Sequence, residues 1–429
     1  MTGRHIVGLL LLALCGCGSD IPDSTDQAPP PEPGLVAFTN ATFWDGTGAD
    51  ALRGATLLVR DGRIESLSRD PAPPAARTVD LGGGYVIPGL INTHGHVSGR
   101  WADGGVEDTA ERIRAELRLL ARYGVTTVNS LGGAPAAAIA VRDAQATPSL
   151  VHARLYVAGP VITDRDPAAA RASAEANVAM GVDWLKLRVD DNLGRVEKMP
   201  WDAVQAVLDV AAANELALAT HIFYLADASR ALDMGSGMIA HSVRDQPVSD
   251  DFIRKLIDTG TCYVPTLTRE VSTFVYADRP AFFDDPFFLR HADRDEMARV
   301  SDPEFMTAMA DSEVAAGYRD GLAVATQNLA TLAAAGAPFA FGTDSGPPGR
   351  FPGYFEHLEL EMMVDAGLTP EQALLAATGD AAECLRLDGV GTLESGNWAD
   401  FLVLADDPLA AIAATKTLRQ VYVAGNAVR

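Results

Sequence analysis

The chain has 429 residues, 48% of them apolar, which is enough to bury a large core and excludes a disordered chain. Its formal charge of −23 argues against nucleic acid and anionic membrane surfaces as partners, because both would repel it. A surface this acidic serves solubility.

The first stretch reads as a targeting segment outside the fold. Arg4 and His5 precede an apolar run over 6–14 that is too short to cross a bilayer. The run ends in Leu14-Cys15-Gly16-Cys17, which resembles a bacterial lipobox. Cleavage after Gly16 would leave Cys17 as the lipidation site. The expectation is a signal peptide over 1–16 and a Pro-rich tether over 17–34. The mature protein would then be exported, periplasmic or outer-membrane-anchored, and would meet the membrane only through its lipid. Two cysteines remain, Cys262 and Cys384. No spacing supports a bridge between them, so two free buried thiols are expected.

From Leu35 the pattern is short strands with turns: 35–40, 55–59, 63–67 and 77–81, with Asp61-Gly62 as a hairpin turn. The apolar run Leu90-Ile91 follows Pro88-Gly89 and ends in His94 and His96. Strand side chains alternate with period two, so the two imidazoles share a face. Two neutral imidazoles converging at a strand end suit a borderline metal such as zinc. Beyond them the rhythm is helix and strand in alternation, with strands at 125–129, 154–158, 183–189, 216–221, 237–241, 261–266 and 338–344. With the His94 strand this makes eight, the count of a closed (β/α)8 TIM barrel with its chemistry at the C-terminal strand ends. A helix pair over 356–366 and 370–385 follows, then strands at 401–404 and 420–423. These last strands are expected to complete the N-terminal ones. The fold class is therefore α/β: a barrel over 89–388 inserted in a small β-sandwich domain built from 35–88 and 389–429.

His221, His241 and Asp344 each close a strand of that series. Lys186 lies on its strand with Trp184 and Arg188 on one face, while Leu185, Leu187 and Val189 take the other. An inward lysine in a core needs a partner.

This set resembles the amidohydrolase superfamily, in its imidazolonepropionase-like and Xaa-Pro dipeptidase branch. The pieces that carry the likeness are PGLINTHGH, the Lys of DWLKL, ATH at His221, AHS at His241, FGTDSG at Asp344, and the tail GLTPEQALLAATGDAAECL with GTLESGNWADFLVL. The resemblance implies that His94, His96 and Asp344 bind one metal and His221 and His241 a second. Lys186, carboxylated by CO2, would bridge them. It implies about two Zn2+ per chain, with other divalent metals compatible, and an amide substrate such as a dipeptide or N-acyl amino acid. A metal lowers the pKa of its water from about 15.7 toward about 7, and Asp344 would shuttle the proton to the leaving amine. The competing expectation is a one-metal cyclic-amide hydrolase or deaminase. A decayed, non-enzymatic binding barrel is disfavoured by the complete ligand set. The resemblance also places Tyr224 where related dipeptidases hold a substrate carboxylate; Arg188 and Arg269 are further candidates. The segment 269–311 is long for a connection and rich in Phe, so it is expected to lie over the strand ends. His357 is expected to be structural. A homo-oligomer is compatible with all of this.

Overall fold

The computed structural model describes residues 32–101 and 109–429. The expected signal peptide, most of the expected tether and Cys17 lie outside the described residues.

The chain begins with β1 (Leu35–Phe43), β2 (Leu52–Arg53), β3 (Thr56–Arg60), β4 (Arg63–Ser68) and β5 (Arg77–Pro88). Asp61 and Gly62 join β3 to β4 with φ of 49° and 80°, the left-handed pair that a two-residue hairpin turn requires. Then come β6 (Leu90–Gly95), α1 (Thr109–Arg122), β7 (Val125–Ser130), α2 (Ala137–Asp143), β8 (Arg154–Val157), α3 (Pro167–Met180), β9 (Trp184–Arg188) and α4 (Trp201–Ala213). The alternation continues through β10 (Ala217–His221), α5 (Leu225–Asp233), β11 (Met238–Ala240), α6 (Asp250–Thr259) and β12 (Cys262–Val264). Caps fix several of these helices. Asp166 accepts from Ala169 N at the start of α3 and Ser249 from Phe252 N at the start of α6, while left-handed Gly181 and Gly260 end them.

The segment after β12 holds α7 (Leu267–Val271), α8 (Arg294–Val300), α9 (Pro303–Ala310) and the long α10 (Glu313–Ala334). Helix α11 (Tyr354–Asp365) is followed by α12 (Pro370–Ala376) and α13 (Gly379–Leu385). The single helix expected over 370–385 is broken at Thr378, whose φ of −134° and ψ of −97° are not helical. Strands β13 (Phe401–Leu404), β14 (Leu418–Val423) and β15 (Asn426–Ala427) close the chain.

Strands from both chain ends form one sheet in the order β15-β14-β13-β5-β1-β3-β4, with β2 on β1. It is one continuous sheet, where two packed sheets were expected. β1 and β5 pair in parallel along most of their length, with a register shift between Thr39 and Ala41. The other strands form parallel sheets, β6-β7-β8 and β9-β10-β11-β12. Isolated parallel bridges run on from them: Ile162 to Leu187, Tyr263 to Phe339 and Gly95 to Ser345. The strand expected over 338–344 is reduced to these last two bridges. Pro338 has no N–H to donate, and Asp344 is left-handed with φ of 57°.

The two cysteines are not free: Cys262 on β12 and Cys384 on α13 form a disulfide, with Cα atoms 5.6 Å apart across 122 residues. Ala381, Ala382 and Leu385 of α13 pack in the same apolar cluster as Cys262 and Val264. Docking of that helix, and no local spacing, brings the sulfurs together. A bridge of this span typically contributes about 2–4 kcal/mol by restricting the unfolded chain. The Cys262→Ser/Cys384→Ser variant is therefore expected to lose about that much in denaturant unfolding, and reductant should cost the wild type the same. Equal midpoints with and without reductant would contradict the bridge.

Candidate metal centre

Alternation along β9 decides where Lys186 goes. Leu185 and Leu187 pack with Val204 and Val207 of α4, while Trp184 packs with Ile91, Ala219, Ala240 and Val264 of the neighbouring strands. Lys186 shares the inner face with Trp184 and is 2% exposed. Its Nζ has no hydrogen-bond partner among the described residues. Burial lowers its pKa from 10.5 to about 7, against the opposing pull of Asp344.

Histidines surround it. The His94 and His241 rings lie 4.6 Å apart and those of His221 and His241 4.2 Å apart, centroid to centroid. One donor atom each from His94, His241 and Asp344 falls within 4.8 Å of the others. His96 Nε2 is 2.6 Å from Asp344 Oδ1, and His94 Nε2 is 3.5 Å from it. Burial pushes the His94 and His241 imidazoles well below their usual range, with the Lys186 charge adding to it. Burial likewise brings His221 down to about 3. All three are neutral at physiological pH, the state in which imidazole binds metal.

Each ring is oriented from behind. His96 Nδ1–H donates to Gly132 O at 2.7 Å, which aims Nε2 at Asp344. Thr266 Oγ1 lies 2.8 Å from His241 Nδ1, which leaves Nε2 for a metal. His221 turns Nε2 to Asp190 Oδ2 at 3.0 Å and keeps Nδ1. His94 Nδ1 is buried with no partner among the described residues. His241, Thr266 and Asp344 all have positive φ, and such strained non-glycine backbone concentrates at functional sites. Neutral imidazoles, a carboxylate and an unpartnered buried amine are a donor set that fits a divalent metal.

The model of the amidohydrolase family matches residues 85–428. The chain belongs to the amidohydrolase family. It is a metal-dependent hydrolase of carbon–nitrogen bonds. Among its relatives, an imidazolonepropionase of Deinococcus radiodurans is 28% identical over 402 residues, covering 87% of this chain and 92% of that protein. An uncharacterised protein of Mycobacterium tuberculosis is 27% identical, with 85% and 89% covered. Similar solved structures include a putative prolidase from Bifidobacterium longum (TM-score 0.74, 23% identity, 92% of this chain and 94% of that one). A Xaa-Pro dipeptidase with bound methionine gives 0.73 at 21% identity, with 92% and 100% covered.

Around the candidate metal ligands of this amidohydrolase stand residues that the sequence reading missed. Asp344 divides its carboxylate: Oδ1 faces His94 and His96, while Oδ2 pairs with Arg350 and lies 3.8 Å from Arg269 Nε. Burial alone would raise the Asp344 pKa, but Arg350 and His96 hold it well below the usual carboxylate range. Glu270 lies between Arg244 and Arg269, all buried. Helix α11 contributes two fully buried carboxylates. Glu356 accepts from Asn92 Nδ2 and Ser345 Oγ, both at 2.7 Å, and Asn92 Oδ1 in turn accepts from His94 N at 3.0 Å. Glu359 accepts from Leu267 N and Thr268 N, both at 2.7 Å, and burial raises its pKa to about 7. An acidic residue just past a strand end (Asp190) and an arginine in the Gly/Pro loop after Asp344 (Arg350) were available signals. The α11 acids were not, because an amphipathic pattern assigns acids to the solvent face.

Of the substrate candidates, Tyr224 donates to Asp191 Oδ1 at 2.9 Å and carries Lys198 Nζ over its ring at 3.9 Å. Arg188 is half-buried, with no ion-pair or hydrogen-bond partner for its side chain among the described residues. His357 is structural, facing Thr415 Oγ1 and donating to Tyr123 O. Phe283, Phe287 and Phe288 are buried in the largest apolar cluster among the described residues, with Phe351 and Tyr354, so they serve packing.

Gly342 lets the last bridge segment approach His94. A Cβ there would meet Val264 Cγ1 at 2.5 Å and His94 Cβ at 2.9 Å. Gly342→Ala is expected to cost about 1–3 kcal/mol by overpacking. It should also shift His94 and lower metal content. Unchanged metal per chain by elemental analysis would contradict this packing account.

Proposed function

We propose that this amidohydrolase cleaves the amide C–N bond of a dipeptide or N-acyl amino acid with two divalent metals, zinc by the character of the donors. The sheets and their bridging segment would close as a (β/α)8 barrel over 89–388, inserted in the terminal β domain. The three isolated bridges between consecutive sheets support that closure.

Lys186 carries the proposal. A buried amine without a partner, lowered to about 7, is partly neutral at physiological pH and therefore nucleophilic toward CO2. The amine adds to the carbon of CO2 and loses a proton, which gives a carbamate. That exchange turns a buried cation among histidines into an anion with two oxygens. His94, His96 and Asp344 would hold one metal, His221 and His241 the other, and carboxylated Lys186 both. The metals, when bound, polarise the scissile carbonyl and make water nucleophilic near neutral pH. Asp344 takes a proton from the attacking water and returns it to the departing amine.

A second reading is a one-metal cyclic-amide hydrolase of the imidazolonepropionase kind. What favours it is His221, whose Nε2 is engaged by Asp190 at 3.0 Å, leaving His94, His241 and Asp344 as a compact three-residue set. Metal content and turnover of Lys186→Ala separate the readings. With Lys186 as bridge, the variant binds one metal fewer and falls by at least about a hundredfold in rate, the scale of losing a group that orients a metal. Two metals and wild-type rate on a panel of dipeptides and N-acyl amino acids would exclude the bridging role.

We also propose that the protein is exported and anchored through lipidated Cys17. The Cys262–Cys384 disulfide supports an oxidising compartment. Mass spectrometry of the mature N-terminal peptide should find an acylated Cys17; an unmodified start elsewhere would contradict it.

A further inference from the structure

Two guanidiniums converge on a single oxygen of Asp344. Arg350 pairs with Oδ2 and anchors its Nε on Ser272 Oγ at 3.0 Å. Arg269 Nε lies 3.8 Å from the same oxygen, too far to hydrogen-bond, and is buried with no acceptor among the described residues. Its terminal nitrogens are committed to Glu270 and the Tyr318 hydroxyl. Asp344 is thus shared by two cations on one side and two imidazoles on the other. Two like charges held this close to one anion repel each other, and a second carboxylate between them would relieve that repulsion. Guanidinium presents a planar fork of donors that matches a carboxylate bidentately.

The backbone around Arg350 suits a side chain that changes partner. It lies between left-handed Gly349 (φ 78°) and Gly353 (φ 87°), and its own carbonyl accepts from Gly346 N. Its side chain is 17% exposed, whereas Arg244 and Glu270 behind it are at 0%. Arg350 is therefore the accessible end of a charged chain that runs inward through Asp344, Arg269 and Glu270 to Arg244.

We infer that Arg350 is a specificity-determining residue for a substrate carboxylate: on binding, the carboxylate takes the guanidinium from Asp344 Oδ2 and is received by Arg350 with Arg269 beside it. The inference rests on the reading of the site as an amidase. Asp344 Oδ2 stands in for that carboxylate in the free protein. A substrate that lacks the carboxylate leaves the Arg350–Oδ2 pair in place, so the anion is recognised by affinity.

The test uses the metal-loaded protein and two probes that differ only in the anion, N-acetyl-L-phenylalanine and its carboxamide. Calorimetry reads binding whether or not either is cleaved, so a wrong amidase reading and a wrong Arg350 assignment give different results. The wild type is expected to bind the acid at least about tenfold more tightly than the amide, the scale of one charge-assisted contact. Arg350→Met should bring the two within about twofold at unchanged metal content, and Arg350→Lys should restore part of the difference. Ser272→Ala, which loosens the guanidinium and leaves its charge, should weaken acid binding alone. Where turnover is measurable, Arg350→Met should raise KM for the acid. A wild type that does not distinguish the probes, or an Arg350→Met protein that still does, overturns the assignment. Loss of turnover with the binding preference intact also overturns it, since Arg350 would then be acting on Asp344 alone.

Discussion

A lysine amine held at 2% exposure, with no partner for Nζ among the described residues, is the constraint on which the rest of the site depends. Strand alternation puts it there: Leu185 and Leu187 are needed by α4, so Lys186 must face inward. Burying an ammonium beside three imidazoles is costly in every protonation state that carries net positive charge. The molecule lowers that cost by keeping the amine near half-neutral and the histidines neutral. The same depression prepares every one of these nitrogens to act as a lone-pair donor. An arrangement that is unfavourable for a core is thus suited to receive metal and CO2.

Keeping the donors in place falls to buried carboxylates on the surrounding helices. Glu356 holds Asn92 and Ser345, and Glu359 holds the first amides of α7. Glu116 of α1 accepts from Gly99 N at 2.6 Å and so fixes the loop just beyond His96. Each reaches across to a loop or strand end carrying a site residue and accepts backbone or side-chain hydrogens that would otherwise be buried unpaired. Burial raises the Glu116 and Glu359 pKa values to about 7. The folded state therefore binds more protons than the unfolded one between roughly pH 4.5 and 7, and these two groups favour folding less as pH rises through that window.

The parts of this site written in local periodicity were legible in the sequence. His94 and His96 sit two apart on one strand, and Lys186 sits among alternating apolar residues. His221, His241 and Asp344 close runs bounded by helices. The structure brings all six to one region of the parallel strands. What was not legible depends on contacts far apart in the chain. Cys262 meets Cys384 only because α13 docks across 122 residues. Arg350 itself is visible in the Gly- and Pro-rich loop after Asp344, but its pairing with that carboxylate depends on how the loop turns back. Glu356 and Glu359 look like solvent-facing acids on an amphipathic helix, and only the packed structure shows that both are fully buried. Local pattern identifies the atoms that do chemistry, and tertiary packing decides what holds and tunes them.

The central claim is that Lys186 carries a carboxylate derived from CO2. The most direct measurement is carbon-13 NMR of the zinc-loaded protein equilibrated with labelled bicarbonate. The account predicts one protected carbamate signal per chain, absent from Lys186→Met and lost on metal removal. A fully metallated wild type with no such signal, or the same signal in Lys186→Met, would contradict it.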